Sequence, residues 1–134
     1  ESAGLALAFE PEPGMWIERL DDYRRVRDRV GRPAFGLGLD VGHLAVTGEE
    51  LEPALAEFGG EIPGVQIEDI AGRKHEHRMF GEGDLDFVRI LRAFRKSGVR
   101  GLLEVELSRD SHRAPECAAA AIRFLRDAET RSGG

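Results

Sequence analysis

Short apolar runs alternate with longer amphipathic segments along this chain, and the alternation occurs four times. The apolar runs have the length and composition of buried β-strands, and the segments between them carry apolar residues at helical spacing. Strands are predicted over residues 5–9, 36–39, 64–67 and 102–105, and helices over residues 16–30, 47–58, 84–97 and 115–129. Strands that alternate with helices of this length indicate right-handed βαβ units and a parallel sheet.

Several residue types mark the helix ends. Gly31 is predicted to cap the C-terminus of the first helix, and Pro115 suits the first turn of the fourth. Thr47 and Glu50 have the spacing of a capping box, which predicts Thr47 as the N-cap of the second helix. The third helix is predicted to begin near Asp84 or Asp86.

The two faces of the predicted strands differ in side-chain size. Side chains two residues apart share a face of a strand. In the first, second and fourth strands one face carries large apolar residues, and the other carries small or mixed residues followed by a carboxylate. A doubly wound sheet needs two apolar faces, whereas a (β/α)₈ barrel packs helices outside and keeps its reactive groups at the C-terminal rim of the lumen. The pattern therefore predicts one α/β domain over residues 1–134, with four consecutive βα units that form half of a TIM barrel.

Each predicted strand ends with an oxygen-bearing side chain on the lumen side: Glu10, Asp40, Gln66 and Glu106. Such a set suits Mg²⁺ or Mn²⁺ better than Zn²⁺. Without a cation, the three carboxylates would repel one another and raise their pKa values. The competing explanation is that these acids only cap the following helices, but lumen-side placement at all four positions favours a shared metal site.

Further polar groups lie on the loops that follow the strand ends. They are His43, the His75-Glu76-His77 segment, Arg109 and His112. Each is weak evidence alone, because a loop histidine is usually solvated and a His-x-His pair needs further ligands nearby. Their shared position at one rim is stronger evidence. His75 and His77 are expected to compete for one role.

Composition limits which binding partners and which cellular location are expected. The net charge of −6 argues against a nucleic-acid partner. Cys117 is the only cysteine, which excludes an intrachain disulfide and favours a reducing, cytoplasmic location. No apolar stretch has the length of a membrane span, and no signal peptide is visible. These features predict a cytoplasmic protein without a membrane partner.

At these residues the chain resembles the xylose isomerase-like TIM-barrel superfamily, in particular its sugar phosphate isomerase/epimerase branch. The matching segments are AFEPEPG (residues 8–14), LDVGH (39–43), VQIED (65–69), HEH (75–77), FGEGDLDF (80–87) and VELSRDSH (105–112). Their order and spacing span nearly the whole chain. The match corresponds to the last four of the family's eight βα units, so a missing N-terminal half-barrel or a homodimer is expected to complete the barrel.

The resemblance implies a divalent metal held by a Glu, an Asp, a His and a Glu. Glu10, Asp40 and Glu106 match three of these ligands, and Gln66 stands where the histidine is expected. Mn²⁺ or Mg²⁺ is favoured, with Zn²⁺ and Co²⁺ as alternatives. The implied roles are acid/base catalysis for Glu10 and Glu106, and substrate binding for His43, His75, His77, Arg109 and His112.

The resemblance further implies isomerisation or epimerisation of a sugar or sugar phosphate by proton transfer next to a carbonyl. The half-barrel by itself is expected to lack part of the substrate pocket. One alternative is a non-catalytic, metabolite-handling relative whose metal site is degraded, because Gln66 replaces a histidine. Another is an apurinic endonuclease-like phosphodiesterase, which the acidic balance and the scarcity of histidine ligands disfavour.

Overall fold

The computed structural model describes residues 5–133, which fold into four strands and five α-helices with two short 3₁₀ turns. The strands are β1 (Leu7–Phe9), β2 (Phe35–Asp40), β3 (Gly64–Ile67) and β4 (Leu102–Val105). The helices are α1 (Leu20–Val30), α2 (Val41–Thr47), α3 (Leu51–Phe58), α4 (Phe87–Ser97) and α5 (Ala114–Arg131). The 3₁₀ turns are Gly59–Glu61 and Ser108–Arg113.

The four strands form one parallel sheet in the order β1-β2-β3-β4. The register pairs Asp40 with Gln66, and Gln66 with Glu104. All the carboxyl ends therefore lie at one edge of the sheet. The prediction of an α/β half-barrel with a parallel sheet is confirmed.

The core lies between the sheet and the helices. Leu37 and Leu39 of β2 are almost fully buried, as are Val65 and Ile67 of β3. The opposite face of β2 has little room for side chains, because a Cβ at Gly38 would lie 3.3 Å from the Cβ of Glu10. One large apolar face and one small face were predicted for β1, β2 and β4, and β2 confirms this difference.

The outer strands are more open than the central pair. Leu7 of β1 is 64% exposed, and Leu102 of β4 is 73% exposed. Both strands lie at the ends of the sheet that the described residues form. The half-barrel thus presents apolar side chains where the remaining strands of a barrel would lie.

The predicted start of the second helix is wrong, because residues 41–58 form two helices and the second of them, α3, begins at Leu51. α2 begins directly after β2, where the Asp40 side chain caps it by accepting a hydrogen bond from the backbone N–H of His43 at 2.8 Å. Gly48, with a φ of 75°, then ends this helix in the left-handed conformation. Thr47 is the last residue of α2 and not an N-cap. Glu50 precedes α3 as its N-cap without a side-chain hydrogen bond.

The other helix ends are close to their predicted positions. Gly31 caps α1 in the left-handed conformation, and Asp86 caps α4 by accepting from the backbone N–H of Arg89 at 3.0 Å. Pro115 lies in the first turn of α5. α1 begins at Leu20 and not at Trp16, whose side chain is 97% exposed. Within residues 5–133, no helix has the length and apolar character of a membrane span.

Candidate metal centre

The four oxygen-bearing side chains predicted at the strand ends lie together at the C-terminal rim of the sheet. The Gln66 amide donates a hydrogen bond from Nε2 to Oε2 of Glu10 at 3.2 Å. Glu10 Oε1 lies 3.4 Å from Nδ1 of His43. Ligand atoms of Asp40 and Glu106 lie within 4.8 Å of each other and of a His77 nitrogen. The parallel register explains this convergence, because it aligns the ends of neighbouring strands.

Glu68 is a further acidic residue of this site, and the sequence analysis missed it. Its side chain is fully buried, and Oε1 lies 3.7 Å from Nδ1 of His77. Glu68 follows Gln66 by two residues, so the same strand parity that selected Gln66 would have placed Glu68 on the lumen side. Glu10 and Glu106 likewise follow their strands by one residue, so the sequence did contain the signal for Glu68.

Buried polar atoms without hydrogen-bond partners are concentrated here. Among residues 5–133 these atoms are Oδ2 of Asp40, Oε1 of Gln66, both carboxylate oxygens of Glu68 and Nδ1 of His77. A buried polar atom without a partner is unfavourable and calls for an explanation such as a bound ion. Four of the five are oxygens, which are the ligands that a hard divalent cation prefers. The donor set therefore fits such a cation.

The carboxylates destabilise one another electrostatically. Burial, helped by the neighbouring Asp40 and Glu106, raises the pKa of Glu10 from its usual 4.5 to about 7, although His43 acts in the opposite direction. Burial and the Asp40 carboxylate also raise the pKa of Glu68. The contributions of Asp40 and Glu106 are the repulsion expected from the sequence, whereas burial is the larger cause. A divalent cation among these oxygens would offset it.

Three histidines form a second group beside the carboxylates. Nε2 of His75 lies 2.9 Å from Nε2 of His43 and 2.8 Å from Nε2 of His77. We call these three residues the histidine cluster. His75 and His77 were expected to compete for one role; the loop brings both rings to His43, and the role of each stays a prediction. Their spacing alone gave no sign of this convergence, since loop residues follow no period.

Asp69 holds the loop that carries His75 and His77. Its backbone forms a two-way bridge with Arg78, through hydrogen bonds of 2.9 and 2.8 Å. Its buried side chain accepts hydrogen bonds from the backbone N–H groups of Gly81 at 2.8 Å and Gly83 at 3.0 Å. The glycine-rich segment is therefore a structural turn around a carboxylate.

Arg109 and His112 lie apart from the histidine cluster. Both are exposed on the 3₁₀ turn Ser108–Arg113 that follows β4. A substrate-binding role for them stays a prediction. Glu12, on the loop after β1, is closer to the cluster, with Oε1 lying 3.7 Å from Nδ1 of His75.

A family model described as the xylose isomerase-like TIM barrel matches residues 1–128. The chain therefore belongs to this family. No curated protein matches the sequence.

Solved structures agree on the fold. The chain is similar to the IolI protein with a bound zinc atom (TM-score 0.77, 23% identity, 96% of this chain and 50% of that one). It is similar to D-allulose 3-epimerase from Methylomonas sp. in complex with D-allulose (TM-score 0.77, 18% identity, 94% and 49%). It also matches an AP endonuclease, family 2, from Brucella melitensis (TM-score 0.67, 23% identity, 78% and 41%). The chain thus spans about half the length, or less, of these structures.

Proposed function

We propose that this chain carries the metal-binding half of a divalent-metal-dependent isomerase or epimerase that acts on a sugar or sugar phosphate. One observation supports this most directly: buried oxygens of Asp40, Gln66 and Glu68 face one site without hydrogen-bond partners. The family is that of xylose isomerase-like barrels, and one similar structure is an epimerase that binds a sugar. Similarity at such low sequence identity shows the fold and not the activity. The function therefore has to be inferred from the residues of the site.

Glu10, Asp40, Gln66 and Glu106 would hold the metal, with Glu68 as an additional carboxylate. Mn²⁺ or Mg²⁺ suits the oxygen-rich set, and Zn²⁺ or Co²⁺ is the alternative. When bound, the cation would polarise the carbonyl and hydroxyl oxygens of a substrate.

Glu10 and Glu106 are the proposed acid/base residues. A carboxyl group can both accept and return a proton, and each of these two would also be a metal ligand. The Gln66 amide donates a 3.2 Å hydrogen bond to Oε2 of Glu10, and Oε1 lies 3.4 Å from Nδ1 of His43.

A complete substrate pocket needs more of the barrel than four βα units. We propose that these residues belong to a longer eight-unit barrel or pair with a second copy. The exposed apolar side chains of Leu7 and Leu102 on the outer strands support either arrangement. Size-exclusion chromatography that shows a monomer with cooperative unfolding would count against both.

An endonuclease-like activity is the second candidate. The scarcity of histidine ligands was one reason to disfavour an endonuclease. The histidine cluster weakens that reason, because three histidine rings lie next to one another. The net charge of −6 still disfavours DNA. Cleavage of a duplex with one abasic site, without turnover of sugars, would replace the isomerase proposal with this one.

Glu106→Gln tests the proposed metal role. We expect the affinity for Mn²⁺, measured by calorimetry, to fall at least about tenfold, because an anionic ligand is replaced by a neutral one. Glu104→Gln is the matched control, since Glu104 lies two residues earlier on the same strand face and is exposed. Unchanged Mn²⁺ affinity in the Glu106 variant would overturn the assignment. A screen of aldo- and keto-sugars with the complete, metal-loaded barrel then tests the reaction.

A further inference from the structure

We infer that Arg73 is a positioning residue, which fastens the loop of residues 70–78 to the C-terminal end of α2. This loop carries His75 and His77, whose rings lie beside that of His43 in the first turn of the same helix. The importance of Arg73 for catalysis rests on the proposed function, whereas its contact with α2 does not. Neither Arg73 nor the end of α2 belongs to the carboxylate site.

The guanidinium group of Arg73 lies against the last turn of α2. Its Nε donates a 3.3 Å hydrogen bond to the backbone carbonyl of Val46, and Arg19 donates one of 3.1 Å to the carbonyl of Thr47. The last carbonyl groups of a helix have no partner within the helix, and cationic side chains often bind them. Arg73 therefore supplies a hydrogen bond that α2 cannot form by itself.

Gly48 leaves open the space that this guanidinium group occupies. A Cβ at residue 48 would overlap Nη2 of Arg73 and lie 2.8 Å from its Cζ. Gly48 also ends α2 in the left-handed conformation, with a φ of 75°. Gly31 ends α1 in the same conformation, with a φ of 57°, but a Cβ there would meet only the carbonyl oxygen of Asp28 at 3.9 Å. The two helix ends thus differ because an arginine covers the end of α2.

The backbone of Arg73 indicates that its side chain is needed. The N–H of Lys74 donates to the carbonyl of Ala71 at 3.2 Å, and the two residues between them, Gly72 and Arg73, have φ values of 57° and 59°. Positive φ at both central residues is the pattern of a type I′ turn, which favours glycine, asparagine and aspartate. An arginine in this conformation is strained, and such strain persists where surrounding contacts maintain it. The contact with α2 is of this kind.

The two ends of α2 contact the loop at two points. His43, near the N-terminal end, has its Nε2 2.9 Å from Nε2 of His75. Gly48, at the C-terminal end, receives Arg73. Loss of the Arg73 contact would leave the loop attached mainly by the bridge at its base. His75 lies two residues from Arg73, so we expect its ring to move away from His43.

Arg73→Asn tests the inference from the loop. Asparagine accepts the left-handed conformation better than arginine, so this variant relieves the backbone while it removes the contact with Val46. NMR of the metal-free protein should show loss of the nuclear Overhauser contacts between the rings of His43 and His75, whose centroids lie 4.7 Å apart. The order parameter of the Lys74 amide should fall from about 0.85 to below about 0.6. Arg73→Lys keeps the cation and should restore both signals in part.

Gly48→Ala tests the same contact from the helix. The added methyl would displace the guanidinium group of Arg73, so the ring contacts and the order of the loop should again be lost. Gly31→Ala is the matched control, because an alanine there has the same unfavourable left-handed conformation at a helix end but displaces no arginine. It should leave the loop as it is in the unmodified protein.

An unchanged or more ordered loop in Arg73→Asn would overturn the inference, because the residue would then serve only the turn. Equal effects of the two glycine variants on the loop would overturn it as well. These measurements need neither a metal nor a sugar, so their failure would leave the proposed isomerase function standing. Conversely, absence of sugar turnover by the complete barrel would not change the result for Arg73.

Discussion

Gly42 leaves open the space that the carboxylate of Glu68 occupies. A Cβ at residue 42 would overlap Oε1 of Glu68 and lie 2.6 Å from its Cδ. Residue 42, in the first turn of α2, therefore has to lack a side chain for the fully buried Glu68 to reach the site. The position of Glu68, one residue beyond β3, therefore depends on a glycine at residue 42 of the neighbouring helix.

Gly42→Ala should consequently destabilise the protein by about 1–3 kcal/mol, because the added methyl overlaps a buried side chain that has little room to move. Urea denaturation measures the change. Gly60→Ala is the control, since a Cβ there meets nothing within 4 Å, and its effect should stay within about 0.5 kcal/mol. Equal stability of the two variants would show that Glu68 occupies a different position.

Asp69→Asn should destabilise the loop that follows β3. Oδ2 of Asp69 accepts hydrogen bonds from the backbone N–H groups of Gly81 and Gly83, and Oδ1 accepts from those of Ile70 and Leu85. In either orientation, the amide group of the asparagine would therefore face two donors. A buried donor without an acceptor costs about 1–3 kcal/mol. Asp84→Asn is the comparison, because Asp84 accepts one hydrogen bond from Gly72 at an exposed position. Thermal unfolding should show the larger loss for Asp69, and the reverse order would contradict the structural role.

Gln66→His restores the residue type that the family resemblance leads one to expect on β3. If this position is a ligand, an imidazole should raise the affinity for Zn²⁺ or Co²⁺ about tenfold, since these ions bind nitrogen better than an amide oxygen. Calorimetry in the His75→Gln background avoids binding at the histidine cluster. Unchanged affinity would mean that Gln66 only positions Glu10 through their hydrogen bond.

Strand periodicity made much of this site predictable. Glu10, Asp40 and Gln66 were found because side chains alternate along a strand and parallel strands align their ends. The helix after β2 was missed because Asp40 acts as its N-cap at the point where the strand ends, and seven residues are too few for a clear helical pattern.

The histidine cluster could not be predicted in the same way. His75 and His77 belong to a loop whose path depends on the buried Asp69 carboxylate and its bridge to Arg78. Such long-range hydrogen bonds leave no periodic signal in the sequence. Their outcome, the rings of His43 and His77 both next to that of His75, is visible only in three dimensions.

Glu10→Gln should alter the pH dependence of stability. The pKa of Glu10, raised by burial and by Asp40 to about 7, exceeds its unfolded value of 4.5, so the folded state binds this proton more tightly than the unfolded state. The free energy of unfolding of the metal-free protein should therefore fall as the pH rises from about 4.5 to about 7, by about 1–2 kcal/mol after allowance for partial exposure. The glutamine variant lacks this ionisation. Urea denaturation should thus find it similar to the unmodified protein near pH 4.5 and more stable near pH 8.

Saturating Mn²⁺ should stabilise the unmodified protein at pH 8 and narrow or reverse the difference, because the cation favours the ionised carboxylate. Parallel stability curves for the two proteins across this range would show that Glu10 ionises normally and that the carboxylates do not act on one another.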